Sequence, residues 1–284
     1  MLSRNEKILI VGLGLLGGSY AEALTDAGFE VGAIDIRKEA ISYAYDKGII
    51  SSGDTVVRKP YIEKFNIIIF ALYPKLMIEW IEKYQMYIKP GTLITDVTGI
   101  KTWLIDELEK KLRPDLEFVG AHPMAGREVY GVENSDRNIF KNANYIIVPS
   151  KSSTLMGMNK VKEIGEILEF KNIVTLSKEE HDEMIGFLSQ LTHCIAISLM
   201  TCKESQNLVE YTGDSFRDLT RIAKINETMW TELFLLNKDE LLSQMDLFSN
   251  KFKELRDAIE VEDTEKMKEI MRLSTHRRAF FDKK

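Results

Sequence analysis

Lys7-Ile8-Leu9-Ile10-Val11 runs without a break into Gly12-Leu13-Gly14-Leu15-Leu16-Gly17, and residues 18–27 continue with a helical pattern. An apolar run of this length followed at once by glycines reads as a buried strand ending in a tight turn. In that context Gly12 permits the turn, Gly14 lets a pyrophosphate approach the backbone, and Gly17 allows the helix to pack closely on the strand. The N–H groups that open the helix then face the phosphates, so Gly12, Gly14, Leu15, Leu16 and Gly17 are the candidate cofactor contacts. A second strand, residues 30–34, ends at Asp35. A carboxylate there suits the hydroxyls of an adenosine ribose and repels a 2′-phosphate. The expected cofactor is NAD, with Arg37 lying against the adenine face or in solvent.

Outward from this motif, strand signals recur at residues 66–72, 92–97, 117–120 and 144–148, with helical stretches between several of them. Such alternation predicts an α/β fold, a Rossmann-type doubly wound and mostly parallel sheet with ligands at the carboxyl ends of its strands. Three loops fall at such ends: Ala71-Leu72-Tyr73-Pro74, Asp96-Val97-Thr98-Gly99-Ile100-Lys101, and GAHPMAGRE at 120–128. Tyr73 and Thr98 therefore join the expected cofactor contacts. His122 is expected in a loop just past its strand, with Pro123 biasing it toward an extended backbone. A histidine presented there exchanges a proton near neutral pH, the alternative being a packed structural imidazole.

The chain of 284 residues is long enough for two domains. Its 44% hydrophobic and 29% charged content is that of a soluble globular protein. A net charge of -6 argues against a nucleic-acid partner, which needs a basic surface. The cluster of Arg272, His276, Arg277 and Arg278 suits a solvated helix end. Cys194 and Cys202 have the spacing of neither a metal knuckle nor a disulfide framework, so they read as reduced, packed thiols of a cytoplasmic protein, with no metal site expected. The first apolar run is short and broken by glycines, so neither a signal peptide nor a membrane span is expected.

After about residue 177 the pattern becomes almost continuously helical, which divides the chain into residues 1–176 and 177–284. Ser177-Lys178-Glu179-Glu180 has the form of a capping box opening a long apolar helix through Met200. On it, Ser189 and His193 share a face, and His181 lies near the start; a satisfied core network is the alternative to a ligand site. A further helix covers Phe216-Arg217-Asp218-Leu219-Thr220-Arg221, capped by Asp214 or Ser215, in which Asp218 and Arg221 are spaced to pair. Beyond Asn237, Leu241, Met245, Phe248, Phe252, Leu255 and Ile259 alternate in steps of four and three. That stripe requires a partner helix, within the chain or in a homodimer.

The chain resembles the prephenate dehydrogenases of tyrosine biosynthesis over almost its full length. The residues that carry the likeness are GLGLLGGS (12–19), DVTGIK (96–101), GAHPMAGRE (120–128), His181-Asp182 with SQLTH (189–193), and FRDLTRIAKINETMW (216–230). The resemblance implies a Rossmann domain, a helical dimerisation domain and a cleft between them. It implies NAD-dependent oxidative decarboxylation of prephenate to 4-hydroxyphenylpyruvate, with His122 taking the hydroxyl proton and Arg221 gripping a carboxylate. Ser189 and His193 match positions at the substrate, while Asp218 and Trp230 match residues that hold the arginine helix.

This chain departs from the family pattern at Gly99, where a serine is usual, at Gln190 and Thr192 within the run SHLPH, and at Asp214-Ser215, which replace glycines. These departures leave the choice between prephenate and arogenate open, and Thr98 is the remaining hydroxyl near the nicotinamide. A β-hydroxyacid dehydrogenase is opposed by His122 and Arg221, since that class uses a helix lysine. A nucleotide sensor without catalysis is opposed by His122 itself. No chorismate mutase extension or regulatory domain of ACT type is expected, and feedback through such a module with it.

Overall fold

Eight strands form one sheet in the order β3-β2-β1-β4-β5-β6-β7-β8. The strands are β1 (Lys7–Val11), β2 (Glu30–Ile34), β3 (Ser52–Asp54), β4 (Ile67–Phe70), β5 (Leu93–Asp96), β6 (Glu117–Pro123), β7 (Asn144–Pro149) and β8 (Asn172–Thr175). The computed structural model describes residues 2–204 and 207–282. All neighbouring strands run parallel except β6 and β7.

β4 is apolar throughout, and β1 is so beyond Lys7, because both of their faces are covered. Ile8 and Ile10 point into one core with Tyr20 and Leu24 of α1 (Leu15–Asp26) and Val161 and Ile164 of α6 (Leu155–Ile167). Leu9 and Val11 point into the other. There they meet Met77 and Ile81 of α4 (Pro74–Tyr84) and Leu104 and Leu108 of α5 (Thr102–Lys111). The short helices α2 (Lys38–Asp46) and α3 (Lys59–Ile62) complete this half.

Two strands escape the sequence pattern. β3 is only Ser-Gly-Asp, with no hydrophobic period, and its place comes from parallel pairing with β2. β8 lies at the other edge, paired to β7. A third difference concerns His122, which lies inside β6 rather than in a loop beyond it, because antiparallel pairing to Ile146 carries the strand through Pro123.

The chain then becomes helical: α7 (Lys178–Ile185), a π-helical segment Gly186–Gln190, α8 (Leu191–Thr201), α9 (Asp214–Thr220), α10 (Glu227–Leu236), α11 (Lys238–Glu260) and α12 (Thr264–Arg278). The expected capping box is present, with the Ser177 side chain accepting from the Glu180 N–H and the Glu180 carboxylate accepting from the Ser177 N–H. Residues 178–201 form one helical unit that is long and apolar enough, by length and composition alone, to cross a bilayer. Its first turn is fastened to α5 through Asp182, as described below.

Other expectations in this half are corrected. Gly213, not Asp214 or Ser215, is the N-cap of α9. Cys202 is exposed rather than packed. The stripe on α11 contradicts neither of its two expected partners: packing within the chain buries Leu241, and Phe248, Phe252 and Ile259 stay exposed.

Candidate active site

The turn after β1 is built to hold an anion. Gly12 has φ +99°, and a Cβ there would lie 2.5 Å from the Ala71 carbonyl oxygen; at Gly17 it would lie 1.9 Å from the Gly12 carbonyl oxygen. Both positions exclude any side chain. Gly14 differs, for nothing lies within 4 Å of its Cβ position. It is the N-cap of α1 and gives it no side-chain cap, so the helix start at Leu15 and Leu16 presents backbone donors to open space. This fits a dinucleotide pyrophosphate.

Asp35 also braces the turn. One carboxylate oxygen accepts from the Leu13 N–H at 2.7 Å and the other from the Arg37 N–H at 2.8 Å. Arg37 remains 46% exposed while its guanidinium donates to the Leu13 carbonyl at 2.9 Å, at the edge of the same turn. Tyr73 accepts through its hydroxyl from the Asn226 amide at 3.0 Å and so links α4's entry to the segment before α10.

Thr98 corrects an expectation. Its hydroxyl bonds to Asp96 and to the Ile100 carbonyl and accepts from Lys101, so it is used inside the protein and cannot replace the missing serine at 99. The Lys101 ammonium is fully buried and donates to the Asp96 carboxylate at 2.7 Å and to the Thr98 carbonyl at 2.6 Å. Burial lowers its pKa, and Asp96 opposes the shift. The second oxygen of Asp96 accepts from the Ala121 N–H at 3.0 Å. One buried ion pair thus joins the β5–α5 turn to the residue before His122.

His122 is half-buried, and its Nδ1 lies 2.9 Å from Nε2 of His181. His181 is fully buried, with its Nδ1 2.7 Å from an Asp182 carboxylate oxygen. That carboxylate also accepts from the backbone N–H groups of Lys101 at 2.9 Å and Thr102 at 2.8 Å. Asp182 therefore caps α5 from another part of the chain. Burial would raise its pKa, but the hydrogen bond from His181 and those two backbone donors outweigh it, and the group is held ionised. Burial pushes the His122 imidazole well below its usual value, helped by His181 and by the Lys101 charge. Burial lowers His181 as well, against the pull of Asp182. The other ring nitrogen of His122, Nε2, faces Gly99, where an added Cβ would sit 3.6 Å away.

The helical half contributes a second cluster. His193 lies over the Trp230 ring with centroids 3.7 Å apart, and its Nδ1 bonds to the Ser189 carbonyl at 2.8 Å. Burial lowers the His193 pKa, and both Glu128 and Arg221 are close enough to influence it. Arg221 pairs with Glu128 at 2.7 Å instead of with Asp218, and its side chain is 66% exposed. Gln190 faces away from this cluster into the helix packing, bonded to the Leu233 carbonyl and to the Asn237 amide.

Several of these residues carry no role when read as sequence. Glu128 lies in the quoted histidine loop without a partner in view, Lys101 closes the quoted run DVTGIK, and the pair His181-Asp182 is quoted only for the family likeness. Their functional signal is a strand-end carboxylate and lysine and an acid beside a histidine, none of which names its distant partner. Among the described residues no group of three or more His, Cys, Asp or Glu is placed to hold a metal ion.

Comparisons with known proteins show the family of the chain. Residues 20–174 match the family model described as the prephenate dehydrogenase nucleotide-binding domain, and residues 177–273 match the one described as its dimerization domain. Prephenate dehydrogenase of Bacillus subtilis is 31% identical over 276 residues, which span 94% of this chain and 74% of that protein. Cyclohexadienyl dehydrogenase of Zymomonas mobilis is 26% identical, spanning 90% of this chain and 89% of its own. The crystal structure of prephenate dehydrogenase from A. aeolicus, in complex with hydroxyphenyl propionate and NAD+, superposes with a TM-score of 0.89 at 31% identity and covers 99% of each chain. With both family models matched and these relatives alike over most of their length, the chain belongs to the prephenate dehydrogenase family.

Proposed function

We propose that this protein is an NAD-dependent prephenate dehydrogenase, converting prephenate to 4-hydroxyphenylpyruvate and carbon dioxide. The observation that carries the reading is His122, held by one ring nitrogen 2.9 Å from His181 with the other facing the turn at Gly99. When bound, NAD+ supplies the hydride acceptor. His122 takes the ring hydroxyl proton at Nε2, which its depressed pKa allows because the imidazole is neutral. Arg221 grips a substrate carboxylate, a task suited to a guanidinium fork. Glu128 stands on that guanidinium in the free protein, so an acidic substrate displaces or shares it. Ser189 and His193 contact the pyruvyl side chain, while Trp230 supports His193. Gly12, Gly14, Leu15, Leu16, Gly17, Asp35 and Tyr73 bind the cofactor.

Arogenate is the second reading, and Glu128 favours it: the amino group that distinguishes arogenate would find a carboxylate beside Arg221. The test follows reduced cofactor by its near-ultraviolet absorbance with prephenate and arogenate, using NAD+ and NADP+ in turn. Turnover of prephenate with NAD+ supports the assignment; cofactor binding without turnover of either acid would leave a nucleotide sensor.

The same proposal divides the chain at 176/177 into a cofactor unit and a helical unit through which two copies pair. The exposed stripe of Phe248, Phe252 and Ile259 supports that pairing. Cytoplasmic residence belongs to it too, supported by the unpaired Cys194 and Cys202.

A further inference from the structure

We infer that His181, backed by Asp182, is a positioning residue that fixes the tautomer of His122, so that the lone pair of the reactive imidazole always lies on Nε2. The inference rests on the proposed role of His122 as proton acceptor.

Asp182 can only accept. Its carboxylate receives the backbone N–H groups of Lys101 and Thr102 at the start of α5, and an oxygen committed to such donors offers no proton of its own. His181 Nδ1, 2.7 Å from that carboxylate, must therefore carry the hydrogen. Fully buried, His181 stays neutral, so its Nε2 is a lone pair. The atom 2.9 Å from that lone pair is His122 Nδ1, which must be the donor. A neutral imidazole with its hydrogen on Nδ1 has its acceptor at Nε2, the nitrogen that faces Gly99 at the mouth of the β5–α5 turn.

The arrangement also acts after the proton has moved. When His122 takes the hydroxyl proton at Nε2 it becomes an imidazolium, and its Nδ1–H now donates from a charged ring to His181, which is polarised by the Asp182 carboxylate. Lys101 and Asp96, the other charged pair facing this chain, are bonded to each other and leave the order of hydrogens unchanged. Asp182 lies on the helical half and His122 on the sheet half, so the tautomer is set across the seam between them.

Two substitutions of similar size separate positioning from packing. In His181→Gln the side-chain amide oxygen replaces Nε2 as acceptor for His122, whereas in His181→Asn the amide nitrogen replaces Nδ1 and keeps only the bond to Asp182. Positioning predicts that His181→Gln holds kcat within about tenfold of the native value while His181→Asn loses roughly a hundredfold or more, as expected when a catalytic imidazole is free to take the wrong tautomer. KM for NAD+ and for prephenate is expected to stay within about twofold in both, since neither side chain meets a ligand. A purely structural role predicts the reverse order, because His181→Asn preserves the bond to the buried carboxylate.

The second readout needs no turnover. Nitrogen-15 shifts of the imidazoles in the free native protein are expected to show His122 hydrogenated at Nδ1 and bare at Nε2. His122 hydrogenated at Nε2, or His181→Asn as active as His181→Gln, would overturn the inference. Failure of the native enzyme to oxidise prephenate would overturn the functional reading instead, and the nitrogen-15 spectrum would still decide the tautomer.

Discussion

Most large apolar side chains before Ser177 are packed into two cores of their own chain, with exceptions such as Ile36, Met86 and Leu155 on the surface, whereas the helices after it bury few of theirs. β4, and β1 beyond Lys7, are apolar and buried along both faces, but α11 exposes Leu242, Leu247, Phe248, Phe252 and Ile259. Among the described residues of the helical half the buried apolar side chains are Ile185, Leu191, Ala196, Leu241 and Ala258, and they are joined inside by the polar His181, Asp182, Gln190 and Asn237. A sheet covered on both sides is a finished core; a helical layer with a bare aromatic stripe is finished only by another surface. The chemistry divides along the same line. In the proposed mechanism the sheet half holds the proton acceptor His122 and the dinucleotide turn, and the helical half holds Arg221, the proposed grip on the acid.

The sharpest way to break this division is His122→Asn. Loss of a general base costs about 10² to 10⁴-fold in rate. That loss is expected in kcat, with little change in KM for prephenate or NAD+, because the interaction is needed mainly in the transition state. Steady-state kinetics check it, and near-native turnover would remove the chemistry from the sheet half.

Next in size is the joint substitution Phe248→Asp and Phe252→Asp. Burial of a phenylalanine at an interface stabilises by about 1.5–3 kcal/mol, so replacing both with carboxylates on each copy should convert a dimer to monomers at micromolar concentration. Sedimentation velocity reads the mass directly. A native Tm that rises with protein concentration, and a variant Tm that does not, would show that the helical half alone depends on its partner. An unchanged mass would mean that the stripe is covered by something else.

Arg221→Ala tests the helical half's share of recognition. A hydrogen-bonded carboxylate partner is worth about 2 kcal/mol, so KM for prephenate should rise roughly thirtyfold with a smaller effect on kcat. The Glu128 pair moderates the loss, because the native guanidinium is already engaged and largely exposed. An unchanged KM would place the carboxylate grip elsewhere.

What the sequence showed of these two halves follows from how local each signal is. The strand and glycine turn at 7–17, the capping box at Ser177 and the apolar stripe on α11 each arise within a few residues, so they are legible without a fold. The position of His122 inside β6 is not, since it depends on antiparallel pairing with Ile146 of β7. Nor is the buried lysine: only the fold surrounds Lys101 with Asp96 and the Thr98 carbonyl. Asp182 caps a helix 80 residues earlier in the chain, and Glu128 meets Arg221 across 93. Gln190, at a position expected near the substrate, is turned into helix packing by Asn237, whose side chain does not cap α11 and bonds instead to Gln190 and to the Asp182 carbonyl.

The smallest expected effect, a displaced acid limb in the pH profile, probes both halves at once. Burial, His181 and the Lys101 charge all push the His122 pKa below its ordinary 6.5, and the groups facing it are His181, backed by Asp182, and Lys101, backed by Asp96. The base is active when neutral, so kcat/KM should stay level as pH falls from 8 through 6.5 and decline only at lower pH. A limb at or above 6.5 would mean that His122 is not held as the surrounding network requires. Stability should follow the same sign. His181 and His193 are also depressed, so over the window below 6.5 the unfolded chain binds protons that the folded chain refuses, and stability falls as pH drops through that window. Because His181 and His193 belong to the helical half and His122 to the sheet half, amide-exchange protection lost on acidification from α7–α12 before it is lost from β1–β6 would assign the weaker half to the one that its own chain leaves bare. Simultaneous loss would instead show that the bonds from Asp182 to Lys101 and Thr102 couple the two halves into a single cooperative unit.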